Sequence, residues 1–125
     1  MSRILVDTSV WIDHLRSKDE QLTHLLSHNQ VLMHPMIRGE IACGCLHHRD
    51  QLLNLLENLP QITQATHDEA LYCLEANKLM GKGIDFIDLH LLAAVFLTKN
   101  TLLWTRDHRL NKLALSLNLS WELRH

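Results

Sequence analysis

A chain of 125 residues fits one domain with one core, and 46% apolar against 21% charged residues is an ordinary globular balance that excludes a disordered polypeptide. The formal net charge of −2 argues against binding nucleic acid through bulk positive charge, because phosphate neutralisation needs basic residues. The longest apolar run, Leu91 to Leu97, is far short of a membrane span; the N-terminal Ile4-Leu5-Val6-Asp7 breaks too early for a signal peptide; and Cys43, Cys45 and Cys73 make no disulfide framework, so a reduced, cytoplasmic protein without a membrane partner is expected.

No internal repeat or low-complexity linker divides residues 1–125, which predicts a single domain. Ile4-Leu5-Val6 predicts a buried strand, and Thr8 or Ser9 can cap a helix through about Leu15. Ser17-Lys18-Asp19-Glu20 has the spacing of a capping box and opens a helix to about Ser27. Val31-Leu32-Met33 predicts a second strand, and Pro35 suits the first turn of a helix to about Cys45. Leucines at helical spacing between Arg49 and Leu59 stop at Pro60. Thr66-His67-Asp68-Glu69 is another capping box, for a helix to about Met80 ended by Gly81. Phe86 to Lys99 predicts a helix buried on most sides, followed by a strand from Leu102 to Thr105, a helix from Leu110 to Leu117 and a last strand from Leu119 to Glu122. Alternating strands and helices imply an α/β fold with a central, mostly parallel sheet and helices on both faces.

Ligands of such sheets bind outside the carboxyl ends of the strands. Asp7 and Asp107 follow the first and third predicted strands, Asp88 interrupts the apolar stretch from Ile84 to Leu97, and Glu40 follows Met36-Ile37-Arg38-Gly39. Each acid has an ordinary explanation. Asp7 and Asp107 can cap helices, Asp88 can face a helix dipole, and Glu40 can lie on a solvated face. Clustered carboxylates, however, raise one another's pKa unless a cation is present. Oxygen ligands without His or Cys favour Mg²⁺, with Mn²⁺ a second choice, and such ions can activate water against a phosphodiester.

Four segments carry a resemblance to the PIN-domain ribonucleases and, within them, to the VapC toxins: Val6-Asp7-Thr8-Ser9-Val10-Trp11-Ile12, Gly39-Glu40-Ile41-Ala42-Cys43-Gly44, Ile87-Asp88-Leu89-His90-Leu91-Leu92-Ala93 and Thr105-Arg106-Asp107-His108-Arg109-Leu110. The resemblance implies a PIN-like α/β/α sandwich, a divalent-metal site and endonucleolytic cleavage of RNA to a 5′-phosphate and a 3′-hydroxyl. It assigns Asp7, Glu40, Asp88 and Asp107 as the catalytic and metal-binding quartet, Asp7 and Asp88 foremost. It places Thr105 beside the last acid as an accessory hydroxyl. A VapB-like antitoxin and a homodimer are likewise implied.

Asp85 departs from the family pattern, which favours a small residue; after Lys82-Gly83 it reads as a solvated loop acid, with an accessory role as the alternative. Arg38, Arg106 and Arg109 are candidate RNA contacts beside the acids. Most of the histidines, His125 included, are expected on solvated surfaces; His90 and His108, next to quartet acids, read as ordinary hydrogen-bonded side chains, with phosphate contact as the alternative; and Cys43-Gly44-Cys45-Leu46-His47-His48 matches no standard zinc spacing. Trp11, with Val10, Ile12 and Leu15, is expected in core packing or in an exposed apolar groove that takes the antitoxin. Two competing readings remain open: a phosphoryl-transfer or phosphoacceptor domain using Asp7, and a PIN-like binding module without catalysis. The former lacks a second Asp two residues on, where Ser9 stands, and an acidic pair ahead of Asp7.

Overall fold

In the computed structural model, which describes residues 2–123, a three-stranded parallel sheet organises the chain. Strands β1 (Arg3–Val6), β2 (Val31–Leu32) and β3 (Thr101–Trp104) lie in the order β2-β1-β3. Ile4 pairs with Val31 on one side of β1, and Val6 pairs with Trp104 on the other. Ile4, Leu5 and Val6 are all buried although successive side chains of a strand point to opposite faces, so both faces of β1 are covered. Each sheet edge gains one further parallel bridge, Met33 with Gln61 and Leu103 with Ser120.

Among the described residues seven α-helices connect and cover the strands: α1 (Thr8–Arg16), α2 (Glu20–Ser27), α3 (Pro35–Ala42), α4 (Arg49–Glu57), α5 (His67–Ala76), α6 (Phe86–Leu97) and α7 (His108–Ser116). α6 is the central one, and residues 89–95 are buried without interruption. A helix apolar all round belongs inside, and its first turn brings Asp88 within reach of the charges of Asp7 and Asp107.

Several expectations are corrected. Leu119 to Glu122 is no strand: Ser120 makes a single bridge, and Trp121–Leu123 coil into a 3-10 turn that packs Trp121 against Trp104, ring centres 4.5 Å apart and tilted by 48°. The Ser17 capping box does not form, because Asp19 is the cap of α2 and accepts from the Leu22 amide at 3.0 Å. Neither Thr8 nor Ser9 caps α1, since Asp7 holds the cap position. α5 opens with the expected Thr66 box but ends at Ala76, before Gly81. Lys78 takes the left-handed conformation there (φ 53°), and the Leu79 amide reaches back to the Leu74 carbonyl at 3.0 Å. Burial of Leu79 offsets the cost of a left-handed lysine. Trp11 and Val10 are core residues, which leaves Ile12 and Leu15 at the surface. His34 is buried, contrary to the solvated position expected of it; His90 is buried too and meets Phe86 edge-on at 4.7 Å, while His125 lies outside the described residues. No helix is long and apolar enough to cross a membrane among the described residues.

Candidate active site

Asp7 follows β1 and Thr105 follows β3, and the Val6–Trp104 register places them side by side at the carboxyl end of the sheet. The Asp7 amide donates to the Trp104 carbonyl at 2.9 Å, extending the ladder by one rung. Asp7 is 7% exposed, a severe setting for a carboxylate. It occupies the N-cap of α1 yet makes no side-chain capping bond. Its Oδ2 instead accepts the Thr105 hydroxyl at 2.7 Å and the Ser9 hydroxyl at 3.0 Å. With both protons spent on Asp7, each hydroxyl oxygen accepts a backbone amide, Asp107 N onto Thr105 at 3.1 Å and Arg106 N onto Ser9 at 3.0 Å. The turn carrying Asp107 is thereby fastened to the one carrying Asp7.

Glu40, half-buried on α3, accepts the hydroxyl of Thr8 at 2.6 Å, one residue along from Asp7. Asp107 caps α7 by accepting the Leu110 amide at 3.0 Å on Oδ1. Asp85 and Asp88 form a reciprocal capping box at the start of α6: Asp88 N donates to Asp85 at 2.8 Å and Asp85 N to Asp88 Oδ2 at 3.4 Å. Asp85 is solvent-exposed at the end of its loop, as expected, and in addition caps α6 beside Asp88. Burial at the head of α6 and then the charge of Asp85 push the Asp88 carboxyl up to about 6; the Asp85 amide opposes this, and the charges of Asp7 and Asp107 add to it. Asp88 thus feels three neighbouring acids.

The quartet divides in two. Asp88 and Asp107 perform the helix-capping tasks expected of ordinary acids at those positions, while the side chains of Asp7 and Glu40 are pinned by hydroxyls and make no capping bond. Among the described residues no three His, Cys, Asp or Glu side chains converge as a closed chelate. The donor set still suits a hard divalent cation: it is all carboxylate oxygen, and it holds one acid whose ionised form is disfavoured by burial and like charge. A cation there would reverse that penalty.

The candidate RNA contacts fare differently. Both terminal nitrogens of Arg106 are taken by Asp13 at 2.7 Å and Asp19 at 2.6 Å, so the side chain ties the turn after β3 to α1 and the start of α2. Arg38 turns to Glu57 at 3.4 Å, as residues two apart on a helix face different ways. Arg109 lies against Gly83, in the loop before Asp85. Thr8 and Ser9 are the site residues that sequence reasoning missed. Their adjacency to Asp7 was visible, but hydroxyls there read equally well as helix caps.

A PIN domain model matches residues 4–115, a span that includes every acid of the cluster. Over 107 residues, 86% of each chain, the sequence is 46% identical to proteins named Ribonuclease VapC32 from two Mycobacterium tuberculosis strains, CDC 1551 and H37Rv. The chain belongs to the PIN-domain family, among its VapC ribonucleases.

Proposed function

We propose that this protein is a Mg²⁺-dependent endoribonuclease whose site is formed by Asp7, Glu40, Asp88 and Asp107. The observation that carries the reading is the orientation of Asp7. A buried carboxylate at a helix N-cap is expected to accept that helix's amides, and this one is turned from them by Thr105 and Ser9. Such second-contact hydroxyls are the arrangement that orients metal-binding carboxylates.

VapC ribonucleases in general depend on a divalent metal; here Asp7 and Asp88 would hold it, with Glu40 and Asp107 beside them, and Mn²⁺ a workable substitute. A hydrated divalent cation supplies activation of water and neutralisation of phosphate charge. The chain's own residues provide the rest. Thr105 and Ser9 fix the rotamer of Asp7, and Thr8 fixes Glu40. The Asp85–Asp88 box holds the head of α6 in place. With Asp88 given over to the metal, the pinned Glu40 is the group that would take or pass a proton as the phosphodiester opens to a 5′-phosphate and a 3′-hydroxyl.

The same proposal covers the setting of the enzyme. Residues 1–125 act as one domain in the cytoplasm, as the toxin half of a pair with a VapB-like antitoxin. A homodimer would cover the exposed Tyr72, Phe96 and Leu97 on α5 and α6. Purified protein incubated with cellular RNA and Mg²⁺ is expected to release fragments bearing 5′-phosphates, and EDTA to stop the release. Undiminished cleavage in EDTA would refute the metal reading, and trapping of an acyl-phosphate at Asp7 would favour a phosphoacceptor instead.

A further inference from the structure

Between the loop that follows α5 and the outer face of α7 lies a groove of about 490 Å³ lined by Lys78, Lys82, Arg109 and Lys112 together with the buried Leu79 and Leu113. All four cations are exposed, and among the described residues no carboxylate lines the groove. Among the described residues none of the four enters an ion pair, whereas Arg38 and Arg106 are both paired. In a chain of net charge −2 this is a local concentration of free positive charge, placed against the loop that leads into Asp85 and Asp88.

Two details show that the groove is held in shape. Gly83 has φ 84°, and a Cβ there would meet Arg109 Cδ at 2.6 Å and Nε at 3.1 Å. The Arg109 stem thus lies directly on Gly83, which is two residues from Asp85, as Arg109 is from Asp107. Lys78 is the left-handed residue that terminates α5, the position filled by asparagine after α2 and α7 (Asn29 and Asn118). Asparagine and glycine adopt that conformation more cheaply than lysine. Local folding therefore gives no reason for lysine at this position, while the groove does. On α7, Arg109, Lys112 and Ser116 follow the spacing of one helix face, so positive charge runs from the acidic end of the sheet along the helix.

We propose that this groove binds the sugar-phosphate backbone of single-stranded RNA and leads it to the acidic site. The inference rests on the endoribonuclease reading and adds to it the chain's own RNA-binding track. Lysines serve as point charges for phosphate, and the absence of aromatic side chains in the lining points to backbone rather than base recognition. Each phosphate contact to a single strand carries a salt slope of about 0.7, so each one lost weakens binding roughly fivefold near 0.1 M salt.

The test measures binding of fluorescein-labelled, mixed-sequence single-stranded RNA by anisotropy, in an Asp7→Asn background that removes cleavage. Lys82→Gln with Lys112→Gln is expected to raise Kd roughly twentyfold and to flatten the salt slope by about 1.4. Lys82→Arg with Lys112→Arg is expected to restore affinity, which separates loss of charge from loss of fold. Lys99→Gln, at the amino end of β3, is the control for net charge and is expected to leave Kd unchanged. Equal affinity of the double Gln variant, or an equal loss in Lys99→Gln, would overturn the groove. So would competition by poly-L-glutamate as strong, per charge, as by RNA, which would make it a seat for an acidic polypeptide. If wild-type protein bound RNA through these lysines but cut none in Mg²⁺, the endoribonuclease reading would fall and the groove would stand.

Discussion

The hydroxyl of Thr105 donates to Oδ2 of Asp7 at 2.7 Å across a sequence separation of 98 residues. The parallel register of β1 and β3 alone brings them together, and both are buried. Replacing Thr105 with Val removes one of two donors to a buried carboxylate and strands the Asp107 amide. Such a loss is expected to cost about 1–3 kcal/mol of stability. Cleavage is expected to fall by about 10- to 100-fold, as for other partners of metal ligands. Thr105→Ser keeps the donor and is expected to retain most of both. Denaturant unfolding and single-turnover cleavage of the two variants check this; equal behaviour of Val and Ser would refute a role for the hydroxyl.

Asp88 should cost the fold stability when no cation is present. Its pKa is raised from 3.8 to about 6, so the folded state binds more protons than the unfolded state between those values. The contribution of Asp88 to stability therefore falls as pH rises through that window and stays low above it. Asp88→Asn is expected to raise Tm in EDTA at pH 7, to show no gain below pH 4, and to lose cleavage. Added Mg²⁺ should narrow the difference by stabilising the wild type. Calorimetric scans at both pH values measure it, and a lower Tm for the variant at pH 7 in EDTA would contradict the repulsion described for this site.

Sequence pattern made the quartet visible and left its wiring hidden. Strand-end positions for Asp7 and Asp107 follow from short apolar runs, and the burial of Asp88 follows from an apolar helix with little polar face. Asp85 as a cap was hidden because Lys82-Gly83 reads as loop, whereas Asp85 and Asp88 have the reciprocal spacing of a box with an acid at each end. The engagement of Arg106 could not be read at all: its partners Asp13 and Asp19 are 93 and 87 residues away. The same holds for the missing fourth strand. Leu119 to Glu122 has strand composition, but the chain turns into a 3-10 helix after one bridge, with Trp121 packed against Trp104.

Arg106 is a brace, and its loss should affect the fold before the chemistry. The guanidinium joins Asp13 and Asp19 and lies 5.5 Å from the Trp104 ring centre. All three charged side chains are partly exposed, so solvent screening limits the network to roughly 1 kcal/mol. Arg106→Ala is expected to lower stability by about that amount, more at low salt than at high salt, with RNA affinity unchanged. Urea titrations at two salt concentrations, alongside RNA anisotropy, test it. A loss of RNA binding without a loss of stability would return Arg106 to the substrate contacts.

His34 sets an acid limit on the fold. It is fully buried at the start of α3, its Nδ1 accepts the Met36 amide at 3.0 Å, and its Nε2 has no partner among the described residues. Burial, with a smaller push from His90, lowers its pKa from 6.5 to about 4. The folded state thus favours neutral imidazole. The stability this confers is complete above pH 6.5 and is lost as pH falls toward 4, for a total of roughly 3 kcal/mol. His34→Asn keeps a good N-cap and removes the titration, so its stability should vary much less across that window. An unchanged slope in the variant would assign the acid sensitivity elsewhere.

The central claim is that a carboxylate turned from its helix and held by two hydroxyls serves a metal-dependent cut in RNA. Asp7→Asn tests it most directly, because the amide keeps the size of the side chain and alters its charge. The measurement is the Mg²⁺-dependent rate of RNA cleavage by wild type and variant, each shown to be folded by circular dichroism and thermal unfolding. The expected result is a folded variant with a rate at the level of wild type in EDTA. A folded Asp7→Asn protein that cuts RNA at the wild-type rate in Mg²⁺ would contradict the account.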